Sequence, residues 1–493
     1  PKPVATDRII PVHSWDDTPS YQNAVLYKMM RINDALDADK LHQALTKLLS
    51  REGWCKLGAR LRISSKGKHE YHIPAEFDRK RPAVAYHHES HQYSINSHSL
   101  ASRLPHPSNT SPQIGDDRGE EFLPLMYQPG DPTCLNDYLY VERPMLGLRI
   151  VTFTDAALIT LSWSHILFDG MECKYLLDAW SLILQGREDE VPPMHGFLTD
   201  PLKTLGTRPT EPYLHATRQL TTWQTIILIF RDIASKIWSF LSSSSQFESR
   251  TFCVPAAYLR TLRESAIADI TPTLKPTTGE KESTFLSEGD VLFAWWTRQI
   301  LSTMGKKNPD PPIAMYTAFG LRSVLAKGKE PLLPAGSAYA GNAVAYLPTF
   351  ISAGDILKQS LGSVAASLRR TIIELGTREQ LEARLALHRA PEGHVRGDVV
   401  FGDPWMHVVG CSNMTKADFF GVDFSAALID KSSHGEQATG IGRPSYIHTH
   451  VFAPSTTLVS NFAVEGKDAQ DNYWLYGVLR GEHWRQIQRS LAG

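Results

Sequence analysis

An alternation of apolar and polar residues organises the first part of the chain. Residues 24–32, AVLYKMMRI, predict a strand. The next segment has apolar residues at helical spacing and Asp37 or Asp39 as its N-cap, so it predicts a helix that packs one face on a core. Further strands are predicted in KLGARLRI, in KHEYHI and as a hairpin within 138–164, and a second helix begins after Gly170.

Residues 85–135 interrupt this regular pattern. They are rich in His, Ser, Pro and Asp and show little periodicity, which predicts a long surface segment. The segment includes HHESH, in which His87, His88, Glu89 and His91 raise the question of a metal site. Because the cluster lies in a polar loop without helical periodicity, a solvated cluster is the preferred interpretation, and we predict no metal site.

A second half with a similar mixture of elements follows a stretch rich in Pro, Gly and Thr at 187–215. Helices are predicted near 256–266, 287–303, 354–375 and 481–491, and strands near 312–319, 343–350, 405–412, 419–425 and 456–464. The fold class is therefore α/β (α+β). We expect an N-terminal domain over 1–195, a crossover linker with an amphipathic helix over 196–250, and a C-terminal domain over 251–493.

The amphipathic helix is predicted in TTWQTIILIFRDIASKIWSFL, residues 221–241. Its uninterrupted apolar run, from Ile226 to Phe230, is far shorter than the roughly 20 residues that a transmembrane helix requires, and Arg231 and Asp232 follow it. We prefer the interpretation that its apolar face packs on a domain. A membrane surface, or a channel for an apolar substrate, are the alternative uses of such a face.

The charge balance excludes one class of function. The 493 residues include 51 Lys and Arg against 52 Asp and Glu, a formal net charge of −1. A non-specific nucleic-acid binder needs a strong positive field, so we predict no nucleic-acid partner. The sequence also lacks a P-loop and a dinucleotide-binding fingerprint, which argues against nucleotide hydrolysis and nicotinamide chemistry.

Cysteine usage favours a reducing compartment. The five cysteines are widely spaced and form no C-x-x-C pair, which fits free thiols better than a disulfide framework or a zinc site. The opening residues PKPVATDRII contain no apolar core of the kind found in signal peptides. We therefore expect a cytoplasmic protein without a transmembrane segment.

The strongest chemical signal is LITLSWSHILFDG, where strand alternation ends near His165 and Asp169-Gly170 starts the next helix. An imidazole fixed at a strand end can act as a general base because its ordinary pKa lies near physiological pH. From spacing alone, a structural histidine with hydrogen-bonded neighbours is the preferred interpretation, and catalysis is the alternative.

The pattern H-x-x-x-D-G is also the signature of the CoA-dependent acyltransferase superfamily. Segments elsewhere in the chain resemble the BAHD acyltransferases of that superfamily, in the order that the family shows. They are KLGARL (Lys56–Leu61), LSEGDVLFAWWTR (Leu286–Arg298), FGLRSVLAKGKEPLLPAGSAYAGNAV (Phe319–Val344) and DFSAA (Asp423–Ala427). The long segment at 85–115 resembles the fungal branch of the family, which includes trichothecene acetyltransferases.

The resemblance implies two similar chloramphenicol-acetyltransferase-like domains, each a mixed sheet with flanking helices, and a channel between them. It implies that residues 402–425 pair back onto the N-terminal sheet. It also implies a monomer with no bound cofactor that uses an acyl-CoA, most simply acetyl-CoA, as co-substrate. The expected second substrate is a hydroxylated fungal secondary metabolite, with O-acylation preferred to N-acylation.

Roles for individual residues also follow from the resemblance. His165 would deprotonate the acceptor, while Asp169, with Gly170 beside it, would hold the local geometry. Arg322 and Asp423 occupy the positions that the family joins in a structural salt bridge away from the chemistry. These residues are therefore expected to support the site.

Two further groups are assigned by position alone. Ser412 and Asn413 are candidates to stabilise the oxyanion, and strand residues pointing to solvent are the equally weighted alternative. Residues predicted to contact the co-substrate are Ser287, Tyr339, Gly341 and Asn342. Lys306 and Lys307 either meet a phosphate or, in the preferred interpretation, form a solvated turn.

One segment departs from the family pattern. D-F-G-W-G is replaced by D-F-S-A-A, so Ser425, Ala426 and Ala427 stand where the family has two glycines and a tryptophan. This difference motivates a second hypothesis, in which the same fold performs a base-catalysed cyclisation, elimination or isomerisation without CoA. A third hypothesis is a binding protein without catalytic activity, although the intact H-x-x-x-D-G motif argues against it.

Overall fold

Two mixed β-sheets with helices packed against them form the frame of the molecule. The structure is a computed structural model that describes residues 4–108, 110–241, 246–271, 285–305, 310–328, 330–389, 399–429, 440–454 and 459–492. Within these ranges the strands are β1 (Arg8–Pro11), β2 (Val25–Ile32), β3 (Arg60–Ile63), β4 (His69–Ile73), β5 (Ala85–Ser90), β6 (Gln113–Ile114), β7 (Leu146–Thr152), β8 (Ala157–Ser164), β9 (Phe247–Val254), β10 (Pro312–Gly320), β11 (Val344–Ser352), β12 (His407–Asn413), β13 (Pro444–Phe452), β14 (Val459–Lys467) and β15 (Tyr473–Arg480).

Helices of very different length connect and cover these strands. They are α1 (Pro19–Gln22), α2 (Ala38–Leu49), α3 (Leu123–Met126), α4 (Asn136–Leu139), α5 (Gly170–Leu184), α6 (Thr222–Leu241), α7 (Ala256–Ile270), α8 (Glu288–Thr303), α9 (Arg322–Leu325), α10 (Ala353–Lys358), α11 (Leu361–Leu375), α12 (Arg378–Leu387) and α13 (Gly481–Ala492). The N-cap of α2 is Asp37, whose carboxylate accepts hydrogen bonds from the backbone of Asp39 and Lys40. This capping satisfies amide groups that the first helical turn leaves without partners.

The first sheet has five strands in the order β13-β2-β8-β7-β5. Its strands pair antiparallel except for β5, which runs parallel to β7. The apolar faces of α2 and α5 pack on this sheet in one continuous core that includes Trp163 and Trp180. A separate antiparallel sheet, β1-β4-β3, lies beside it in the first half of the chain.

The second sheet has seven strands in the order β11-β10-β12-β14-β15-β9-β6. It is also mixed, because β12 runs parallel to both β10 and β14 whereas the outer pairs are antiparallel. A second core joins it to α7, α8, α11 and α13 around Trp296 and Trp484. The expected α/β (α+β) class with a mixed sheet in each half is therefore confirmed.

The two halves exchange strands. The C-terminal strand β13 completes the five-stranded sheet by pairing with β2, whereas the short strand β6 from the first half pairs with β9 at the edge of the seven-stranded sheet. The expectation that residues 402–425 pair back onto the N-terminal sheet is therefore wrong in its location. The strand in that range, β12, belongs to the seven-stranded sheet, and β13 makes the crossing.

Residues after β12 form short 3-10 helices rather than the strand predicted over 419–425. These helices span Thr415–Ala417, Phe419–Gly421 and Ser425–Ala427. Their aromatic residues Phe419 and Phe424 are fully buried in the N-terminal core. The apolar residues of this segment therefore pack into one core from a compact turn, without the pairing of a strand.

Part of the predicted surface segment at 85–135 is also a strand. Residues Ala85–Ser90 form β5, so His87, His88 and Glu89 lie along an edge strand of the five-stranded sheet. Neighbouring residues of a strand point to opposite faces, so the side chain of His88 is separated from those of His87 and Glu89, whereas the Glu89 carboxylate lies 3.1 Å from Nε2 of His91. Among the residues that the structure describes, no group of three or more His, Cys, Asp or Glu side chains is placed to hold a metal ion.

Helix α6 occupies the position predicted for the amphipathic helix. None of the helices in the described ranges is long and apolar enough to span a bilayer. The cysteines are free thiols, of which Cys173, Cys253 and Cys411 are buried.

A buried ion pair links the two sheets. Lys28 on β2 contacts the carboxylate of Glu465 on β14 and donates a hydrogen bond of 2.8 Å to the hydroxyl of Thr449 on β13. The ammonium group also lies 4.5 Å from the centre of the Phe419 ring. The side chains of Lys28 and Glu465 are only 6% and 3% exposed, so each charge depends on the other for compensation.

We expect Glu465→Gln to destabilise the protein by about 3–5 kcal/mol, because it leaves the Lys28 charge buried without its counter-ion. The double variant Lys28→Met, Glu465→Leu should recover much of that loss, since it removes both charges together. Urea unfolding of the three proteins measures the difference. A double variant no more stable than Glu465→Gln would contradict the assignment of this pair as mutually compensating.

Candidate active site

His165 lies at the first position after β8, where contacts from several elements fix its backbone. Its amide donates to the carbonyl of Ala24 at 2.8 Å, which extends the β2–β8 pairing by one residue. Its own carbonyl accepts a hydrogen bond of 2.9 Å from the side-chain amide of Asn342. The imidazole stacks on the ring of Tyr21 with 4.7 Å between centroids. His165 is therefore held from both halves of the chain.

The electrostatic environment keeps the imidazole neutral. Burial lowers the pKa of His165 below its ordinary value, and the residue's own carbonyl, the charge of Asp169 and the Asn342 amide oppose this shift only in part. The Nδ1 atom is buried, and among the residues that the structure describes it has no hydrogen-bond partner. A neutral imidazole with one shielded nitrogen is suited to accept a proton through the other nitrogen.

Asp169 uses both carboxylate oxygens to hold the turn after His165. Oδ1 caps helix α5 by accepting from the amides of Met171 and Glu172, each at 3.0 Å. Oδ2 accepts from the Arg322 guanidinium at 2.7 Å and from the Ala343 amide at 2.9 Å. Burial alone would raise the pKa of Asp169, but the charge and hydrogen bonds of Arg322 hold the pKa below its ordinary value. The carboxylate therefore stays ionised as a structural anchor.

The expected salt bridge between Arg322 and Asp423 is wrong. Arg322 pairs with Asp169 instead, and its second nitrogen donates to the carbonyls of Tyr339 at 3.2 Å and Gly341 at 3.1 Å. Asp423 accepts a 2.8 Å hydrogen bond from the amide of Ser425 and so stabilises its own turn. The two residues act on different elements because α9 lies at the start of α5, whereas the turn containing Asp423 packs along α5.

The D-F-S-A-A segment is an attachment point between the halves. The hydroxyl of Ser181 on α5 donates to the carbonyl of Asp423, and the Phe424 ring packs edge-on against Trp180 at 5.1 Å. The carbonyl of Ala427 accepts a 2.8 Å hydrogen bond from the amide of Asp37, the N-cap of α2. The segment thus retains a packing role although it lacks the family's glycines and tryptophan.

Ionisable side chains of the first half clamp the backbone of residues 339–342. The Tyr339 amide donates to Glu172 at 2.9 Å, the Ala340 carbonyl accepts from the buried Lys56 ammonium, and the Asn342 amide donates to Asp16 at 2.7 Å. The Asn342 side chain donates to the same Asp16 oxygen at 3.0 Å and thereby connects it to the carbonyl of His165.

Asp16, Lys56 and Glu172 were not predicted as site residues. Burial raises the pKa of Asp16 to about 7 and that of Glu172 to about 8, and the Lys56 charge opposes both shifts. Burial lowers the pKa of Lys56, which the two carboxylates oppose. The sequence carried a weak signal for two of them. Lys56 begins KLGARL, and Glu172 is a charged residue type among the buried positions of α5. Asp16 had no such signal, since only the tertiary fold brings it to Asn342.

Gly170 permits close contact between the halves. A β-carbon at this position would lie 2.8 Å from the sulfur of Met414, so a larger residue would require the Met414 side chain, which follows β12, to move away from α5. The oxyanion candidates Ser412 and Asn413 end this strand. Asn413 accepts hydrogen bonds from the amide and hydroxyl of Thr415 at 2.9 and 2.6 Å. Both candidates therefore belong to the strand end that leads directly to the Gly170 contact.

The residues predicted to contact the co-substrate fall into two places. Tyr339, Gly341 and Asn342 lie in the clamped segment, where Tyr339 and Asn342 are each 2% exposed. Ser287 is the N-cap of α8, forms a capping box with Asp290 and accepts a 2.7 Å hydrogen bond from Arg369. These contacts give all four residues structural roles in this conformation. Lys306 and Lys307 lie outside the described residues.

Comparison with known proteins supplies the family. The acetyltransferase adrJ of Penicillium rubens is 37% identical over 494 residues, an alignment that covers 100% of this chain and 97% of the relative. The chain belongs to the fungal BAHD-like acyltransferase family. The family and the enzyme class inferred from the sequence motifs are thus confirmed, although a scan against protein-family profiles finds no match.

Two other comparisons describe this acyltransferase's neighbours. The chain is 38% identical over 490 residues to a protein of Penicillium decumbens named transcriptional regulator calD, covering 99% of this chain and 95% of that one. A crystal structure of F. sporotrichioides TRI101 complexed with coenzyme A and T-2 superposes with a TM-score of 0.66 at 14% identity, covering 97% of this chain and 96% of that chain. The structural likeness confirms the fold of the acyltransferase.

We expect Arg322→Ala to destabilise the acyltransferase by about 3–5 kcal/mol, because Asp169 is then a buried charge without its partner. Adding Asp169→Asn to Arg322→Ala should recover part of the loss in urea unfolding. Adding Asp423→Asn to the same variant is the matched control and should recover nothing. If stability recovers when Asp423→Asn is added to Arg322→Ala, but not when Asp169→Asn is added, then Arg322 pairs with Asp423 and the assignment to Asp169 is contradicted.

Proposed function

We propose that this acyltransferase transfers an acyl group, most simply acetyl, from acyl-CoA to a hydroxyl group of a fungal secondary metabolite. The observation that carries the proposal is the neutral imidazole of His165, fixed at the junction of the two halves. Support comes from adrJ, a full-length relative named as an acetyltransferase, and from the coenzyme A bound to the structural neighbour TRI101. The net charge of −1 gives no support to a DNA-binding role suggested by the name of calD.

In the proposed reaction, His165 accepts the proton of the acceptor hydroxyl as the oxygen attacks the thioester carbonyl. We assign this role to Nε2 because Nδ1 is buried. The tetrahedral intermediate carries its negative charge on the former carbonyl oxygen. When the intermediate collapses, the carbon–sulfur bond breaks, and the imidazolium returns the proton to the leaving thiolate. The products are an ester and CoA, and no acyl-enzyme is formed.

The chain's other residues position this base. Asp169 remains ionised against Arg322 and Ala343, so we assign it the role of a positioning residue rather than a proton carrier. Gly170, Arg322 and Asp423 keep the two halves in register around it. Asn342 fixes the carbonyl of His165, so we assign it the role of orienting the imidazole rather than that of binding CoA.

Of the oxyanion candidates, Ser412 is the better placed. Val409 and Cys411 of β12 are buried in the core on the side of α8. Because strand residues alternate, Asn413 shares that side and Ser412 faces the opposite one. Asn413 would also have to give up its contacts with Thr415 to turn toward a substrate. We therefore propose the Ser412 hydroxyl as the donor to the developing negative charge.

The domain limits 1–195, 196–250 and 251–493 remain a proposal, as do the monomeric state and a cytoplasmic location. The free cysteines support a reducing compartment. Exchange of β6 and β13 means that the first and last of these domains would not fold into complete sheets when separated.

We expect His165→Ala to lower acyl transfer by about 10²–10⁴-fold because the general base is removed. The assay uses radiolabelled acetyl-CoA and an extract of fungal metabolites, with folding checked by circular dichroism. His42→Ala is the matched control, since His42 is a half-buried histidine that stacks on Tyr86 at 3.9 Å. Equal turnover by the His165 variant and wild type would remove His165 from the mechanism.

The pH dependence of kcat/KM tests the state of the imidazole. Because burial lowers the pKa of His165, we expect the acid limb to have an apparent pKa below 6.5 and the rate to rise with pH through that value. Activity should therefore persist at a pH where an ordinary imidazole is mostly protonated. An acid limb above 6.5 would contradict a base controlled by burial.

A further inference from the structure

Helix α6 is oriented with its apolar face away from the protein. Its exposed large side chains are Trp223, Ile229, Phe230, Ile233, Ile237, Trp238 and Leu241. Its charged residues, Arg231, Asp232 and Lys236, are half-buried. Ile226, Ile227 and Leu228 are half-buried, so the sequence interpretation that the apolar face packs on a domain holds for these three residues and is wrong for the exposed ones.

Polar contacts hold the inner face of α6 on the C-terminal half. The Arg231 guanidinium donates to the carbonyls of Pro404 and Met406 and lies 5.1 Å from the Trp405 ring. Further along the helix, Arg480 donates to the Ser235 hydroxyl at 3.2 Å. These bonds use the polar side chains for attachment, so the apolar side remains available to another surface.

The exposed face is broad. With 3.6 residues per turn, the exposed positions from Trp223 to Leu241 cover an arc of about 180° around the helix axis. A pairing seam between two helices needs only the narrower a and d stripe of a heptad. Trp223 and Trp238 lie toward opposite ends, and the adjacent Trp405 is 60% exposed. Tryptophan favours the boundary between lipid headgroups and hydrocarbon.

Basic groups lie along both borders of this face. On a helical projection, Lys236 is next to Ile229 on one border and Arg231 is next to Trp238 on the other. Asp232 lies at the centre of the inner face, with its carboxylate 2.8 Å from Lys236. Asp232 offsets the charge of Lys236, whereas the backbone carbonyls that Arg231 contacts carry no net charge, so the Arg231 border keeps a cationic side chain that complements the phosphates of a lipid surface.

We propose that the apolar face of α6 docks on an anionic lipid bilayer and makes the enzyme a reversible peripheral membrane protein. The helix lies along the surface rather than across it, because none of the described helices can span a bilayer. The breadth of the apolar arc, the tryptophans and the cationic Arg231 border favour lipid over a second copy of the chain. This inference does not depend on the reaction assigned to His165.

The test is flotation of the whole protein with vesicles of phosphatidylcholine and phosphatidylserine. We expect the wild type to float with these vesicles and to bind vesicles of phosphatidylcholine alone more weakly. Phe230→Glu and Ile237→Glu should each weaken binding by more than about tenfold. Ile373→Glu, at a 58% exposed isoleucine of α11, is the matched control and should bind like the wild type.

Two further measurements identify the contact surface. Brominated lipids should quench tryptophan fluorescence in the wild type and less so in Trp238→Phe, because Trp238 then no longer contributes at the bilayer. Circular dichroism confirms that each variant folds. Absence of flotation, or equal loss with Ile373→Glu, would overturn the proposal. A concentration-dependent dimer that Phe230→Glu dissociates would assign the face to a second copy and overturn it as well.

Discussion

The ion pair between Asp169 and Arg322 determines how the two halves of this acyltransferase meet. Asp169 caps the helix that follows His165, while Arg322 binds the carbonyls of residues 339 and 341. One carboxylate therefore fixes a helix start in the first half and a buried loop in the second. The same loop carries Asn342, which Asp16 also binds and which donates to the carbonyl of His165. The geometry of the proposed base is a consequence of this charge pair and not of the strand alone.

Local patterns predicted much of the frame. Apolar spacing located β2, α2, β8 and α5 because each presents a regular face to one core, and the motif order identified the family. The strands β9 and β13 were not predicted, and each pairs with partners distant in sequence. The strand predicted over 419–425 is instead part of a compact turn whose aromatic residues pack into the first half.

The site was predictable where a residue's role is local and not where it is tertiary. His165 and Asp169 were identified from a spacing that a strand end and a helix start require. Asp16, Lys56 and Glu172 act only because the chain brings them to the backbone of residues 339–342. The predicted partner of Arg322, Asp423, was wrong for the same reason, because only packing distinguishes the carboxylate of Asp423 from that of Asp169. Exposure of α6 also follows from its surroundings rather than from its periodicity.

The strand exchange has a consequence for synthesis of the protein. Strand β2 pairs with β8 on one side soon after both leave the ribosome, but its other side waits for β13, which begins at residue 444. During most of translation the nascent N-terminal half therefore carries an open sheet edge, a known template for intermolecular pairing. The yield of folded enzyme would then depend more on how this edge is protected until the last strand arrives than on the stability of the finished core.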